Sequence, residues 1–505
     1  MAQKIDSIAA QLIMPRLDVD TYYDKLDYKN QIDKLVALGV CGFCIFNGIT
    51  EIARRLMAEL QAKSEIPLIF TADFEYGLPM RLSEGNEFPH AWAIGETYDK
   101  ANAFTIGQAI AKESKDLGVD WVFAPVVDIN DNPENPIINI RAFGDNPEKV
   151  SAFGVEFIKG MQSEKVLATA KHFPGHGSTA FDSHIKLPYL NKSISEIEMN
   201  ELFPFKSAIE NDVKSIMVGH LAVEALDETN TPASLSKPII DYLLNVLNFK
   251  GIIITDALDM GAVEDVENNA LKSILSGCTI ALMPKDPVEQ IRKIIELAIS
   301  NEEFQNLIHS DYQKIIRAKR WAGLIPHFAK EKQVEQTFLA NQKSALKIAY
   351  QALKTDGNKA LVPLDDNIQF AGFAIIEKDK DIRSASRYFT MLAQASENDC
   401  DFGYINADIT DDEIDELRTN ISDSELIIFS IFNKVFSQSK ADKINEIIQK
   451  MAHGKKTISI TFGNPNYYTF VHSDFKIAAF SDTFPSLAAA ILVLSGREEN
   501  FKTYY

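Results

Sequence analysis

Fourteen consecutive residues in the first half of the chain hold several of the side chains that could move a proton. Residues 171–184 read Lys-His-Phe-Pro-Gly-His-Gly-Ser-Thr-Ala-Phe-Asp-Ser-His and contain three of the nine histidines. In an extended loop, side chains two positions apart point the same way, so Asp182 can contact the ring of His184. Such a carboxylate fixes the imidazole tautomer and raises the basicity of the other nitrogen. The pair is a candidate general acid and base.

One proline and two glycines interrupt this segment and indicate a loop that moves over bound substrate. A metal site is the alternative interpretation, with four possible ligands: His172, His176, Asp182 and His184. We disfavour it because the chain has no His-Glu-x-x-His helix, and Pro174 with Gly175 prevents helical spacing of the ligands. We therefore expect proton-transfer chemistry that needs no metal or organic cofactor.

Other ionisable residues follow apolar, strand-like runs at the point where each run ends. They are Asp73 and Glu75, Asp128, Lys171 and His172, His220, and Asp256. In a parallel barrel the carboxyl ends of the strands form one mouth, so we expect these side chains to lie together. The Asp256 carboxylate could be a metal ligand, a base or a nucleophile, or it could form a salt bridge across the mouth. Lys171 and His172 offer donors and an acceptor that suit a neutral, polyhydroxylated ligand.

The elements that would position these residues alternate between short apolar runs and longer helical patterns. Eight runs are rich in Val, Ile, Leu or Phe: residues 10–14, 42–46, 67–71, 121–127, 166–170, 215–218, 251–254 and 279–283. Their lack of polar alternation is typical of parallel strands covered on both faces. The pattern predicts an α/β fold, a (β/α)8 TIM-type barrel, over residues 1–325. An open doubly wound sheet is the alternative, although no Gly-x-Gly-x-x-Gly follows the first run.

A second, smaller region follows the predicted barrel. Residues 326–367 have helical patterns and are predicted to form a linker. From residue 368 the alternation returns, with apolar runs at 371–376, 425–432, 457–462 and 477–480. Residues 368–505 are therefore predicted to form an α/β sandwich domain. No cluster of catalytic residue types stands out there.

The composition of the chain limits the classes of partner that it is expected to bind. The chain has 505 residues and a net charge of −20, which argues against nucleic acid or an anionic membrane as a partner. No apolar stretch approaches the ~20 residues of a membrane span, and no signal-like segment begins the chain, so a cytoplasmic location is expected. The four cysteines are too few for a disulfide framework, and Cys41 and Cys44 are read as reduced core residues. The oligomeric state is left open.

With these motifs the chain resembles glycoside hydrolase family 3, in its β-N-acetylglucosaminidase branch. The resemblance spans residues 8–325 and is carried chiefly by Lys-His-Phe-Pro-Gly-His-Gly at 171–177 with Asp182, His184 and Pro188. Shorter motifs support it, in the family's order: Ala124-Pro-Val-Val-Asp128, Asn139-Ile-Arg141-Ala-Phe-Gly-Asp145, Met217-Val-Gly-His220, Pro232-Ala-Ser-Leu-Ser236 and Thr255-Asp-Ala-Leu-Asp-Met260. The segment from Asp73 to Arg81 departs from the Glu-Gly-Gly and Arg of many members.

The resemblance implies a role for each matching residue. Asp256 would be the nucleophile, and His184 with Asp182 would form the acid/base dyad. The sugar would be held by the residues Asp73, Arg141, Lys171, His172 and Met217. The implied activity is that of a retaining exo-β-N-acetylglucosaminidase acting on cell-wall muropeptides or related glycans, as in peptidoglycan recycling. The expected partner is a small carbohydrate substrate.

Three alternatives stay open at this stage. A phosphorylase would use phosphate in place of water, and a His acid/base repels phosphate less than a Glu does. A dual-specificity β-glucosidase would differ in the pocket for the 2-position of the sugar. A catalytically silent sugar-binding protein is the third alternative.

Overall fold

The computed structural model describes residues 4–179, 187–325, 336–365, 367–377, 381–396, 400–406 and 408–496. The predicted dyad, Asp182 and His184, lies outside the described residues. By their internal contacts the residues form two compact units. Unit 1 contains Met1–Asn86, Lys100–Asp131 and Asp145–Thr337, and unit 2 contains Glu87–Asp99, Asn132–Gly144 and Phe338–Tyr505.

The helices and strands alternate along much of the chain. The strands are β1 (Ile13–Met14), β2 (Arg16–Asp18), β3 (Gly42–Phe46), β4 (Ile69–Ala72), β5 (Trp121–Val122), β6 (Leu167–Phe173), β7 (Tyr189–Leu190), β8 (Ser215–Val218), β9 (Ala222–Val223), β10 (Ile252–Thr255), β11 (Ala281–Leu282), β12 (Lys354–Gly357), β13 (Phe370–Ile376), β14 (Asp401–Asn406), β15 (Leu426–Ile431), β16 (Lys456–Thr461) and β17 (Phe475–Ala478). The helices are α1 (Ile5–Gln11), α2 (Val19–Asp24), α3 (Leu26–Leu38), α4 (Thr50–Lys63), α5 (Ala91–Glu96), α6 (Ala101–Leu117), α7 (Pro147–Ser163), α8 (Ile194–Met199), α9 (Leu202–Glu210), α10 (Lys237–Asp241), α11 (Asn269–Ser276), α12 (Pro287–Ser300), α13 (Glu302–Trp321), α14 (Gln336–Ala352), α15 (Asp381–Ala395), α16 (Asp411–Asn420), α17 (Gln438–Ala452), α18 (Asn466–Phe470) and α19 (Phe484–Ser495).

Unit 1 is the predicted barrel. Its main sheet has the order β10-β8-β6-β5-β4-β3-β2, and every neighbouring pair is parallel. The barrel closes through β1 and β11, which pair in parallel. Backbone hydrogen bonds link β1 to the residue before β3 (Cys41 N–H to Ile13 O, 3.2 Å) and β10 to the residue before β11 (Thr255 N–H to Ile280 O, 3.1 Å). Closure leaves the carboxyl ends of the strands at one mouth.

The interior of the barrel is filled by side chains of alternate strand positions. Its core includes Met14, Trp121, Leu167, Met217 and Ile254, each at most 2% exposed. All seven residues of β6 are buried, which is why this strand reads as a continuous apolar run until it reaches Lys171. The core fixes the strands, and the strands fix the direction in which the side chains at their ends project.

Local signals set the helix ends around the barrel. The side chain of Asn146 caps α7 by accepting a hydrogen bond from the Lys149 N–H, and Pro147 occupies the first turn. Asp286 caps α12 in the same way and is also followed by a proline. Helix α6 ends at Leu117, and the next residue, Gly118, adopts the left-handed conformation with φ of 108°.

The first predicted run is wrong in part. Ala10 and Gln11 belong to α1, and the strand signal that begins at Ile13 continues past Met14 to Asp18. Pro15 separates β1 from β2 because it has no N–H to donate to a ladder, although its carbonyl accepts from the Cys44 N–H at 2.9 Å.

Unit 2 contains the predicted α/β sandwich. Its sheet has the order β12-β17-β16-β15-β13-β14, parallel except for the antiparallel edge strand β12. Residues of α14, α15 and α19 form the core on one face, and residues of α16, α17 and α18 form the core on the other. The strand β14 and the helix α15 were not predicted. The residue boundaries proposed for the domains and linker stay a prediction.

The four cysteines are free thiols. Cys41 and Cys44 are fully buried in the barrel core, as predicted, and burial raises the pKa of both thiols. Among the described residues, no helix has the length and apolar character needed to cross a membrane.

Candidate active site

Lys171 is the centre of an ion-pair network at the mouth of the barrel. Its ammonium lies 3.0 Å from Asp73 Oδ1 and 2.8 Å from Glu75 Oε1, and its side chain is only 2% exposed. The other carboxylate oxygen of Asp73 lies 2.6 Å from the Arg81 guanidinium. Two cations and two anions thus compensate each other in a buried place, as buried charges require.

The charge state of Asp73 follows from these neighbours. Burial raises the pKa of its carboxyl, but Lys171 and Arg81 outweigh burial and lower that pKa to about 2. The guanidinium of Arg81 is held from its other side by the ring of Phe46, whose centroid is 4.4 Å from Cζ. Asp73 is therefore an ionised acceptor that could bind sugar hydroxyls.

Asp128 organises the histidines next to this network. Its carboxylate accepts hydrogen bonds from His172 Nδ1 (2.7 Å), from the His172 N–H (3.1 Å) and from the His176 N–H (2.7 Å). Burial raises the pKa of Asp128, but His172 and His176 lower it below its usual range. The ionised Asp128 carboxylate accepts from Nδ1 of His172 and so holds the ring proton on that nitrogen. Nε2 is then the ring nitrogen whose hydrogen bonding Asp128 does not determine.

His176 lies deeper than His172. Burial lowers the pKa of its ring to about 4 despite the opposing charge of Asp128. Its Nδ1 lies 2.8 Å from the hydroxyl of Thr179. A buried, neutral ring in this place stiffens the start of the loop and supplies no charge.

Asp256 follows β10 directly, as predicted. Its Oδ1 accepts a hydrogen bond of 2.7 Å from the Ala257 N–H. Burial raises the pKa of this carboxyl, but His172 and His220 act against burial. Together with the Ala257 N–H and Lys171 they leave the pKa below its usual range. The carboxylate is thus ionised at neutral pH and lies within the field of Lys171 and His172, on their side of the barrel.

His220 supports Asp256 from the neighbouring strand end. Its Nε2 lies 2.9 Å from the Ala257 carbonyl and its Nδ1 lies 2.7 Å from the Ser234 hydroxyl. Because a carbonyl only accepts, Nε2 carries a proton and donates. The ring is fully buried and holds the backbone that follows Asp256.

A polar cluster joins the two sides of the predicted loop. Lys192 lies 2.9 Å from Asp131 and 2.7 Å from the Ser178 hydroxyl, and it also contacts Glu201. Ser178 donates to Glu201 at 2.7 Å and lies 2.6 Å from Asp131. We call Asp131, Ser178, Lys192 and Glu201 the Lys192 cluster. It connects residues that precede and follow the segment 180–186.

Backbone packing fixes the loop start as well. A Cβ at position 177 would lie 1.7 Å from the Ile129 carbonyl oxygen, so only glycine fits there. Gly175 has φ of 126°, and a Cβ there would lie 2.6 Å from that of Glu201. The two glycines of the motif therefore serve close packing in the described part of the loop.

The structure brings together Asp73, Lys171, His172 and Asp256 among the predicted site residues. Met217 is 2% exposed in the barrel core, with Ile254 of β10 as its strand partner. Arg141 ends a short 3₁₀ helix of unit 2 and donates to the Ile137 carbonyl at 3.3 Å. The roles of Met217 and Arg141 in binding sugar stay predictions, as do those of Asp182 and His184.

Sequence reasoning left Arg81 without a role, although the structure places it on Asp73. It also missed that Asp128 binds both histidines. The signal for Asp128 was available, because it follows an apolar run like Asp256 does. Arg81 gave no such signal because its position depends on the turn between residues 73 and 81.

Comparison with known proteins places this site in a family. The model of the "Glycosyl hydrolase family 3 N terminal domain" matches residues 5–318. A β-hexosaminidase A of Pseudoalteromonas piscicida is 30% identical over 355 residues, which are 64% of this chain and 59% of that protein. A β-N-acetylglucosaminidase/β-glucosidase of Cellulomonas fimi is 29% identical over 247 residues, 46% of this chain and 44% of that protein. The chain thus spans about half the length of these two relatives.

The fold also resembles a solved structure. A glycoside hydrolase family 3 β-N-acetylglucosaminidase from Paenibacillus sp. str. FPU-7 superposes with a TM-score of 0.85, covering 98% of this chain and 97% of that one. The two sequences are 24% identical, so the likeness concerns the fold.

Proposed function

The chain belongs to glycosyl hydrolase family 3, and from that premise we propose that it is a retaining exo-β-N-acetylglucosaminidase. It removes terminal β-linked N-acetylglucosamine. The observation that carries the proposal is the partly buried, ionised Asp256 carboxylate at the end of β10, within the field of Lys171 and His172. The β-hexosaminidase name of the Pseudoalteromonas relative supports the activity.

In the first step of the proposed mechanism, Asp256 attacks the anomeric carbon. The glycosidic bond breaks and the leaving oxygen takes a proton from His184, whose imidazolium Asp182 stabilises. The product is a glycosyl ester on Asp256. The low pKa of Asp256 suits this role because a nucleophile has to be ionised at the working pH.

In the second step, the now neutral His184 takes a proton from water. The water oxygen attacks the anomeric carbon, and the ester bond to Asp256 breaks with its electron pair. Two inversions at one carbon give net retention of configuration. Histidine suits the double role because its ordinary pKa lies near neutrality.

Substrate binding uses the charged network at the mouth. Asp73 accepts hydrogen bonds from sugar hydroxyls, Lys171 donates to them, and Nε2 of His172 accepts from one because the ring proton is held on Nδ1. The resemblance to the family also implies sugar-binding roles for Arg141 and Met217, and we propose those roles here. Because the network is internally compensated, a neutral sugar fits it better than a charged one.

The natural substrate is proposed to be a cell-wall muropeptide or a related glycan, processed in the cytoplasm. The muropeptide assignment rests on the resemblance to the β-N-acetylglucosaminidase branch. The Cellulomonas fimi relative is named as both a β-N-acetylglucosaminidase and a β-glucosidase, which favours dual specificity as a second candidate.

Initial rates on two chromogenic substrates test the proposal. We expect release of p-nitrophenol from the N-acetylglucosaminide, at a higher rate than from the glucoside, and loss of both activities in Asp256→Ala. Equal rates on the two would assign dual specificity. No release, or full activity in Asp256→Ala, would refute the proposal.

Two further experiments test whether the enzyme is a phosphorylase and whether the dyad takes part in the mechanism. In phosphate buffer, accumulation of a sugar 1-phosphate would show a phosphorylase in place of a hydrolase. Asp182→Ala is expected to lower the rate and move the alkaline limb of the pH profile to lower pH, because the imidazolium loses its partner. An unaltered profile would remove the dyad from the mechanism.

A further inference from the structure

A cavity with a cationic wall lies at the other end of the barrel strands. Its volume is 410 Å³, which is within the range of small-molecule sites. Leu167 and Ile252, the first residues of β6 and β10, line it, as does Lys214, which directly precedes β8. Lys171, His172 and Asp256 come at the opposite ends of these strands, so the cavity is separate from the candidate active site.

The charges of the wall contrast with the rest of the chain. Four cationic residues line the cavity, namely Lys214, Lys250, Lys314 and Arg317. Asp212 is the one carboxylate among the lining residues. In a chain whose net charge is −20, this concentration of positive charge is a local exception.

Two of the four cations have partners in the protein. Lys214 contacts Asp212, and Lys314 lies 2.9 Å from Asp311. The side chains of Lys250 and Arg317 form no hydrogen bond or ion pair with any residue that the structure describes. Both side chains belong to exposed residues and can turn toward a ligand in the cavity.

Helix α13 and one aromatic ring shape the wall. Lys314, Arg317 and Trp321 follow each other at helical spacing, so one face of α13 presents them together. The ammonium of Lys165 lies 5.1 Å from the Trp321 ring centroid, and that of Lys214 lies 5.2 Å from it. Through these cation–π contacts, the Trp321 ring holds the Lys165 and Lys214 ammonium groups close to the cavity.

The floor of the cavity is apolar. Ile209, Val213 and Phe249 line it together with the strand residues Leu167 and Ile252. An apolar floor with a cationic rim fits a ligand that has a carbon skeleton and several negative charges. An inorganic ion alone would make no favourable contact with the apolar floor.

We propose that this cavity is a binding site for a small organic anion that carries two or more negative charges on phosphate or carboxylate groups. Arg317 and Lys250 bind the charged groups, and the ring and apolar floor contact the carbon skeleton. Guanidinium groups suit phosphate and carboxylate because they donate two parallel hydrogen bonds.

Isothermal titration calorimetry of the full chain with ADP, and separately with citrate, tests the site. We expect saturable binding of one molecule per chain, weakened by added salt. The double variant Arg317→Ala/Lys250→Ala should bind at least about tenfold more weakly, since two charge-assisted contacts are lost. If ADP binds more tightly than citrate, the site prefers phosphate groups, and if citrate binds more tightly, it prefers carboxylate groups.

The matched control is Arg320→Ala, an exposed arginine on α13 outside the cavity lining, which should bind like the parent. Glycosidase activity and thermal unfolding of all variants should match the parent, because none of these residues belongs to the candidate active site. Absence of saturable binding of both probes up to about 10 mM, or equal affinity in the double variant, would overturn the proposal.

Discussion

At the scale of single residues, Asp128 positions the candidate active site without being a reacting group. It accepts hydrogen bonds from the ring and backbone of His172 and from the backbone of His176. In Asp128→Asn, the amide nitrogen cannot accept, so buried donors lose their partner. We expect the free energy of unfolding to fall by about 3 kcal/mol and kcat to fall because the His172 tautomer is no longer fixed.

Urea unfolding and steady-state kinetics measure the two effects. Asp265→Asn is the matched control, since the Asp265 side chain is 93% exposed in the loop after β10. If Asp128→Asn were as stable and active as this control, Asp128 would not organise the histidines.

His176 predicts a pH dependence of stability. Its pKa is about 4 in the folded protein, against about 6.5 in the unfolded chain. Between these values the unfolded state binds a proton that the folded state excludes. The contribution of neutral His176 to the free energy of unfolding is therefore fully present above pH 6.5 and is lost as the pH falls toward 4. It amounts to about 3 kcal/mol.

Denaturant unfolding at several pH values checks this contribution. In His176→Asn the loss between pH 6.5 and 4 should become smaller, whereas the exposed His309→Asn should keep the slope of the parent. Parallel curves for His176→Asn and the parent would mean that His176 is not held in its neutral form.

Site residues could be predicted from the sequence where the direction of the side chain depends only on its position at the end of a strand. Lys171, His172 and Asp256 end buried strands, so their convergence follows from the barrel. Arg81 reaches Asp73 through an irregular turn, and no apolar pattern encodes that geometry.

At the scale of elements, the Lys192 cluster joins residues on either side of the segment 180–186, which contains the predicted dyad. Lys192→Met removes the cation that Asp131 and Glu201 share. Because the Glu201 side chain is only 3% exposed and would lose the cation that pairs with it, we expect more than about 1 kcal/mol of stability to be lost. We expect kcat to fall more than KM changes, and limited proteolysis between residues 179 and 187 to become faster.

Lys206→Met on α9 is the control for removing a lysine that lies close to Glu201 in the sequence but outside the Lys192 cluster. It should leave both kcat and the proteolysis rate unchanged. A Lys192→Met variant with the kcat of the parent would show that the cluster serves stability alone.

The elements themselves were predictable where burial is continuous. The all-buried β6 and β8 gave unbroken apolar runs, so their prediction is confirmed. The two-residue strands β7 and β9 are too short to produce a pattern, and β14 lies at a sheet edge with Ile405 as its one buried residue. Ala10 and Gln11 were misassigned because a buried helix end and a buried strand have the same apolar composition.

At the scale of the whole molecule, the free thiols test how each unit is packed. Cys41, Cys44 and Cys278 are fully buried, and Cys400 is partly exposed. We expect a thiol reagent to modify Cys400 alone in the native protein and all four cysteines after denaturation. Rapid native reaction of Cys41 or Cys44 would contradict the closed barrel, because both lie in its interior.

Unit 2 is assembled from three separate stretches of the chain, two of which interrupt the sequence of the barrel. Composition and periodicity are read along the chain and contain no information on such long-range contacts. One example is the 2.9 Å contact between His90 and Ser481, which are 391 positions apart.

The most direct test of the account asks whether Asp256 forms a covalent bond to sugar. The chain is incubated with a fluorinated N-acetylglucosaminyl fluoride that forms the glycosyl-enzyme faster than water releases it, and peptic peptides are examined by mass spectrometry. We predict one added glycosyl group, located on Asp256 and absent in Asp256→Ala. A label on another residue, or turnover that releases the inverted anomer without any label, would contradict the account.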